Sequence, residues 1–187
     1  MLKKIILTLV AFLISTITFS QITKPCTIYL RSGEVISGMR GTFTTEDFKY
    51  YKKVGDRFKK IAIELLDYVT LVEEYGNITT LKFLPVIGEK KIQIVEQLLT
   101  GKLELYKETT NLNELAYPEY YIRKKGQDKL TLLGHHYSRV KKKKQTLYSF
   151  INDCSEIIDK IENGSLGVVR DLNIIIATYN LKCGLEE

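Results

Sequence analysis

The chain has no tryptophan, three prolines, three cysteines and two histidines in 187 residues. Each scarcity excludes something. With His135 and His136 the only histidines, and no Cys-x-x-Cys or His-x-x-x-His spacing, the usual zinc patterns are missing. Adjacent residues of a strand point to opposite faces, so this pair is expected to link a hairpin to a helix rather than to share an ion. There is no Gly-x-Ser-x-Gly elbow, no cysteine with a matching histidine and no glycine-rich phosphate loop. Paired acids such as Glu73-Glu74 have no visible second carboxylate across a cleft and are expected to solvate a strand end. The expectation is a non-enzymatic protein with no catalytic residues, no metal and no cofactor.

After the first 20 residues no run of about 20 is apolar enough to span a bilayer. The start is different. Lys3 and Lys4 precede an apolar run from Ile5 to Ile17, and Thr18-Phe19-Ser20 then leads to Gln21. A positive segment, a short apolar segment and small residues at the cleavage positions predict a signal peptide over residues 1–20 and an exported chain: periplasmic, outer-membrane-associated or secreted. Removing it leaves 167 residues and, with Lys3 and Lys4 gone, lowers the formal charge from +6 to +4. That excess permits attraction to acidic surfaces without demanding it.

Residues 21–134 are expected to form a strand-rich domain. Cys26, Ile28 and Leu30 alternate with Thr27, Tyr29 and Arg31, a period of two. Ser32-Gly33 turns the chain into a strand with bends at Gly38 and Gly41, and Val54-Gly55-Asp56 marks a hairpin. Residues 64–70 are ambiguous, with a single helical turn one reading, and residues 109–118 form an exposed connection. Strands at 120–124 and 130–133 pair across Lys125-Gly126-Gln127-Asp128. The close spacing predicts a small curled antiparallel sheet or barrel with a meander.

Past Gly134 the period becomes helical, and residues 135–187 are expected to form a helical hairpin or three-helix unit, making the fold class α+β. Leu147, Phe150, Cys154, Ile157 and Ile161 make one stripe, and Leu172, Ile176, Tyr179 and Cys183 another. Asn163-Gly164 stops the first, and Asp153 with Glu156 three residues later can start a fresh helix by side-chain capping. In an exported chain two of the three cysteines can pair. A hairpin folded at Gly164 sets Cys154 opposite Ile174, about 13 Å along the helix from Cys183. A Cys154–Cys183 bond therefore requires the last helix to end near Tyr179-Asn180 and the tail to fold back, and the sequence leaves that pairing open. Cys26 follows Lys24-Pro25 rather than a small residue, which excludes lipid attachment there.

The densest charge is Arg139, Lys141, Lys142, Lys143 and Lys144. It is either the solvated face of a helix or a contact for phosphates of lipid headgroups or an anionic polymer. Export disfavours nucleic acid. The primary expectation is thus an envelope module that binds a protein partner or the envelope surface, with the basic run at 139–144 as the alternative.

Two resemblances add to this. Leu30-Arg31-Ser32-Gly33-Glu34-Val35-Ile36-Ser37-Gly38 resembles the opening hairpin of small Sm-like or SH3-like barrels, which implies a fold for residues 27–72 and no RNA-binding residues. Phe19-Ser20-Gln21, Gly101-Lys102-Leu103-Glu104-Leu105-Tyr106, Tyr121-Ile122-Arg123-Lys124, Asn152-Asp153-Cys154 and Tyr179-Asn180 together resemble uncharacterised exported proteins of Bacteroidota. Those join a strand-rich N-terminal part to a helical C-terminal part, and the resemblance implies no activity.

Overall fold

The computed structural model describes residues 23–44, 46–109, 118–134 and 140–183. The expected signal peptide, most of the 109–118 connection, His135, His136 and Arg139 lie outside the described residues.

Ten strands form one antiparallel sheet that does not close: β1 (Lys24–Leu30), β2 (Val35–Phe43), β3 (Asp47–Tyr51), β4 (Lys59–Ala62), β5 (Leu66–Val72), β6 (Ile78–Pro85), β7 (Ile92–Leu99), β8 (Leu103–Glu108), β9 (Tyr120–Lys124) and β10 (Thr131–Gly134). Their order is β10-β9-β8-β7-β6-β5-β1-β2-β3-β4. Of the two expected forms the sheet is realised, and the meander extends it rather than packing beside it. A 3-10 turn, Ile63–Leu65, swings the chain so that β5 lies against β1 instead of β4.

Local chemistry explains the curl. Gly38 sits at φ +69 where β2 has one residue more than β1 between Cys26 and Ile28, a bulge that L side chains resist. At Gly41 the Phe48 ring lies where a Cβ would be, so this glycine lets a fully buried aromatic pass beneath β2. Phe48, Phe83, Ile28, Leu66 and Val69 centre the core of this end.

At the other end both sheet faces are covered. Leu103, Leu105 and Ile122 face three helices, while Tyr106 and Tyr121 point the opposite way onto Val86, Val95 and Leu130. The helices are α1 (Val140–Ile151), α2 (Ser155–Glu162) and α3 (Leu172–Lys182). The change of period at Gly134 therefore marks the change from strand to helix.

Three expectations about the helices are corrected. The Asp153–Glu156 cap does not form: Cys154 is the residue before α2 and no side chain caps it. Asp153 instead accepts a hydrogen bond from Tyr179 Oη at 3.0 Å and pairs with Lys102 at 3.4 Å. The hairpin does not fold at Gly164, because nine residues, 163–171, separate α2 from α3. This longer link shifts the register, so α3 runs on to Lys182 and Cys183 still meets Cys154, with the Cα atoms 5.8 Å apart and the sulfurs bonded. Asn180 is consequently no helix stop. It lies inside α3, where its amide takes the place of a strand neighbour: Leu103 N–H donates to Asn180 Oδ1 at 2.8 Å, and Nδ2 donates to the carbonyls of Leu103 at 2.8 Å and Thr100 at 3.3 Å. The β7–β8 ladder has already stopped at Leu99↔Leu105, so the amide satisfies backbone groups that would otherwise be orphaned.

Candidate functional site

The most enclosed charged group is Glu104 on β8, directly opposite Arg123 on β9. Its carboxylate takes the Arg123 guanidinium and accepts from Tyr106 Oη at 2.8 Å, while Arg123 donates to the Gln127 carbonyl at 3.0 Å. Burial, then the hydrogen bond to Glu104, push the Tyr106 hydroxyl far above its ordinary range. Within the trio Tyr106 Oη and Arg123 Nε both converge on Glu104 Oε2, so the carboxylate is engaged by its neighbours on the sheet. The trio neutralises a sheet face packed under Leu130 and Val86.

Cys26 is equally unsuited to chemistry. It is buried in β1, and desolvation pushes its thiol up to about 11, so the reactive thiolate is scarce at neutral pH. Glu73 pairs with Lys24 at the end of β5, and Glu74 opens the following turn. Among the described residues no group of three His, Cys, Asp or Glu could hold a metal ion, and no helix is long and apolar enough to cross a membrane.

The basic run starts α1. Lys141 and Lys142 are exposed, whereas Lys143 and Lys144 are half-buried. Consecutive helical residues turn by about 100°, so the four ammonium groups spread around the axis and do not share one face. Lys144 is committed to structure: it pairs with Glu162 of α2 at 3.0 Å and lies 5.8 Å over the Tyr148 ring. Tyr148 Oη donates to the same Glu162 at 2.5 Å, which braces α1 against α2. No acid lies in the first turn of α1, so these lysines sit where the helix dipole disfavours cations.

A second basic cluster is not contiguous in sequence. Lys49, Lys52, Lys53, Arg57, Lys59 and Lys60 belong to the β3–β4 hairpin, interrupted in sequence by apolar and turn residues. Residues 52–60 are all exposed. Asp56 is used inside the turn, its carboxylate accepting Lys53 N–H at 2.8 Å, and Gly55 takes φ +96. Lys60 faces Asp47 at 3.6 Å. Lys52, Lys53, Arg57 and Lys59 have no carboxylate partner among the described residues. An open cleft of about 600 Å³ beside them is lined by Ile36, Met39, Tyr50 and Tyr51, by Lys52, Arg57 and Lys59, and by the acidic Glu34 and Asp56. The signal that finds this cluster is cations counted across a hairpin, since both arms return to the same place.

No protein-family model, no curated protein and no solved structure matches this chain.

Proposed function

We propose that the chain is a non-enzymatic module exported to the cell envelope, where it attaches to the envelope surface or to a partner held there. One observation carries the reading: cations without acidic partners among the described residues are gathered on exposed elements, chiefly the β3–β4 hairpin, while enclosed charges are paired, as in Glu104–Arg123. Lys3-Lys4, the apolar run after them and Thr18-Phe19-Ser20 support export, and a Cys154–Cys183 bond suits an oxidising compartment. The order β5-β1-β2-β3-β4, with a 3-10 turn before β5, supports an opened relative of the small Sm-like or SH3-like barrels over residues 27–72.

A second reading places the anionic contact on residues 139–144. It is favoured by Lys141 and Lys142, which have no carboxylate partner among the described residues and sit at a helix start where they do not stabilise the helix. Fractionation tests both together with export. The expected result is envelope-bound protein beginning at Gln21 and released by a high-salt wash. Cytoplasmic protein retaining Met1 would contradict the proposal.

A further inference from the structure

The β3–β4 hairpin combines two features that a solvated turn does not need. Its apex, Val54, is 88 % exposed, and Phe58 beside it is 48 % exposed. Around them stand Lys52, Lys53, Arg57 and Lys59, none held by a carboxylate among the described residues. Exposed apolar residues occur elsewhere on this chain, at Tyr75, Ile78 and Leu181, but Val54 stands at a hairpin apex ringed by four cations, and phosphates on a dissolved polymer offer that apex no apolar phase to enter. An anionic bilayer offers both, phosphates at the level of the collar and acyl chains below it.

The hairpin is built to keep this arrangement. Asp56 N–H donates to the Lys53 carbonyl at 3.0 Å and the Asp56 carboxylate accepts the Lys53 amide, which closes the turn and holds Val54 outward. Behind it the Phe58 ring meets Tyr51 edge-on at 5.1 Å, and Tyr51 Oη bonds Thr23 Oγ1 at 2.8 Å, fixing the base of the hairpin to the chain before β1. The apex is thus presented on a stiff support and needs little ordering on contact.

We infer that residues 52–60 form a lipid-surface anchor, in which Val54 enters the headgroup boundary of an anionic bilayer and Lys52, Lys53, Arg57 and Lys59 bind its phosphates. This deepens the envelope-surface reading and rests on it. Single weak signals do not hold a protein on a membrane, whereas one apolar insertion joined to a cationic collar gives reversible attachment.

The absence of native tryptophan makes the test direct. Val54→Trp introduces one reporter at an exposed apex, and the full exported chain is titrated with vesicles of phosphatidylcholine alone or mixed with phosphatidylglycerol. Emission should shift to the blue and be quenched by brominated acyl chains on the mixed vesicles only. Replacing Lys52, Lys53, Arg57 and Lys59 together by Gln should weaken wild-type co-sedimentation by several hundred-fold, about fivefold for each cation. The same change at Lys141 to Lys144 should have much less effect. Far-UV circular dichroism checks that each variant is folded. Attachment to mixed vesicles without a blue shift, and indifferent to the hairpin changes, would overturn the anchor while leaving the envelope-surface reading intact. Equal binding to soluble polyphosphate with no shift on vesicles would overturn it in favour of an anionic polymer. No attachment to vesicles, alongside salt-resistant retention on envelope fractions, would overturn both the anchor and the lipid surface as the partner.

Discussion

Asn180→Ala should loosen the seam between α3 and the sheet more than its half-exposed position suggests. The substitution removes three hydrogen bonds and strands the N–H and C=O of Leu103, a residue with no exposed surface. A buried backbone group left unpaired costs about 1–3 kcal/mol. Two such groups, partly reachable by water along the exposed edge of α3, give a loss of about 2–4 kcal/mol. The neighbouring Gly101 supplies an internal control. It has φ +150, and a Cβ there would collide with the Asn180 amide. Gly101→Ala should therefore be destabilising alone, through both the collision and the backbone, by about 2–3 kcal/mol. In the Asn180→Ala background the collision is gone and only the backbone strain remains, so the double variant should lose less than the two single losses together. Urea unfolding followed by circular dichroism and tyrosine fluorescence measures all three. A loss below about 0.5 kcal/mol for Asn180→Ala, or strict additivity with Gly101→Ala, would refute the role given to this amide.

Three further predictions follow from the same geometry. Replacing Cys154 and Cys183 by Ala should lower stability by about 3–4 kcal/mol, the loop-closure value for a separation of 29 residues, as read by thermal melting with and without reductant. Glu104→Ala should cost about 3–5 kcal/mol by leaving the Arg123 guanidinium enclosed without its partner, whereas Glu104→Leu combined with Arg123→Met should recover most of the loss; urea unfolding distinguishes the two outcomes. Glu156 is held down to about 2 by hydrogen bonds from Lys160 and Lys182, below the ordinary 4.5. A depressed carboxyl adds stability that is present above the unfolded value and is lost as pH falls from about 4.5 to about 2, so the acid limb of an unfolding curve should flatten in Glu156→Gln.

The sequence makes the sheet legible where side chains alternate and glycine closes a turn. Cys26 and Ile28 face inward, Gly55 and Gly126 close hairpins with positive φ, and the helical period starts beyond Gly134. What it hides is long-range. Asn180 beside Tyr179 resembles a helix stop because local propensity cannot register a partner 77 residues away on β8. Leu103-Glu104-Leu105-Tyr106 alternates like a strand with one wet face, yet Glu104 is enclosed because Arg123 arrives from β9. The stripe from Leu147 to Ile161 keeps its spacing through Cys154 and so does not itself mark the turn at Asn152–Cys154; the restart there agrees with the start signal at Asp153, although the side-chain cap does not form. The hairpin cations were dispersed in sequence by Val54, Gly55, Asp56 and Phe58, and only the folding of β3 onto β4 gathers them.

Attachment to the envelope surface through unpaired cations is tested most directly by the salt dependence of binding. Envelope vesicles are titrated with the chain lacking residues 1–20 at about 50 mM and about 300 mM salt, a range over which the screening length falls from about 14 Å to about 6 Å. The predicted result is a loss of at least about tenfold in affinity at the higher salt, recovered on dilution. Affinity unchanged by salt would contradict the account.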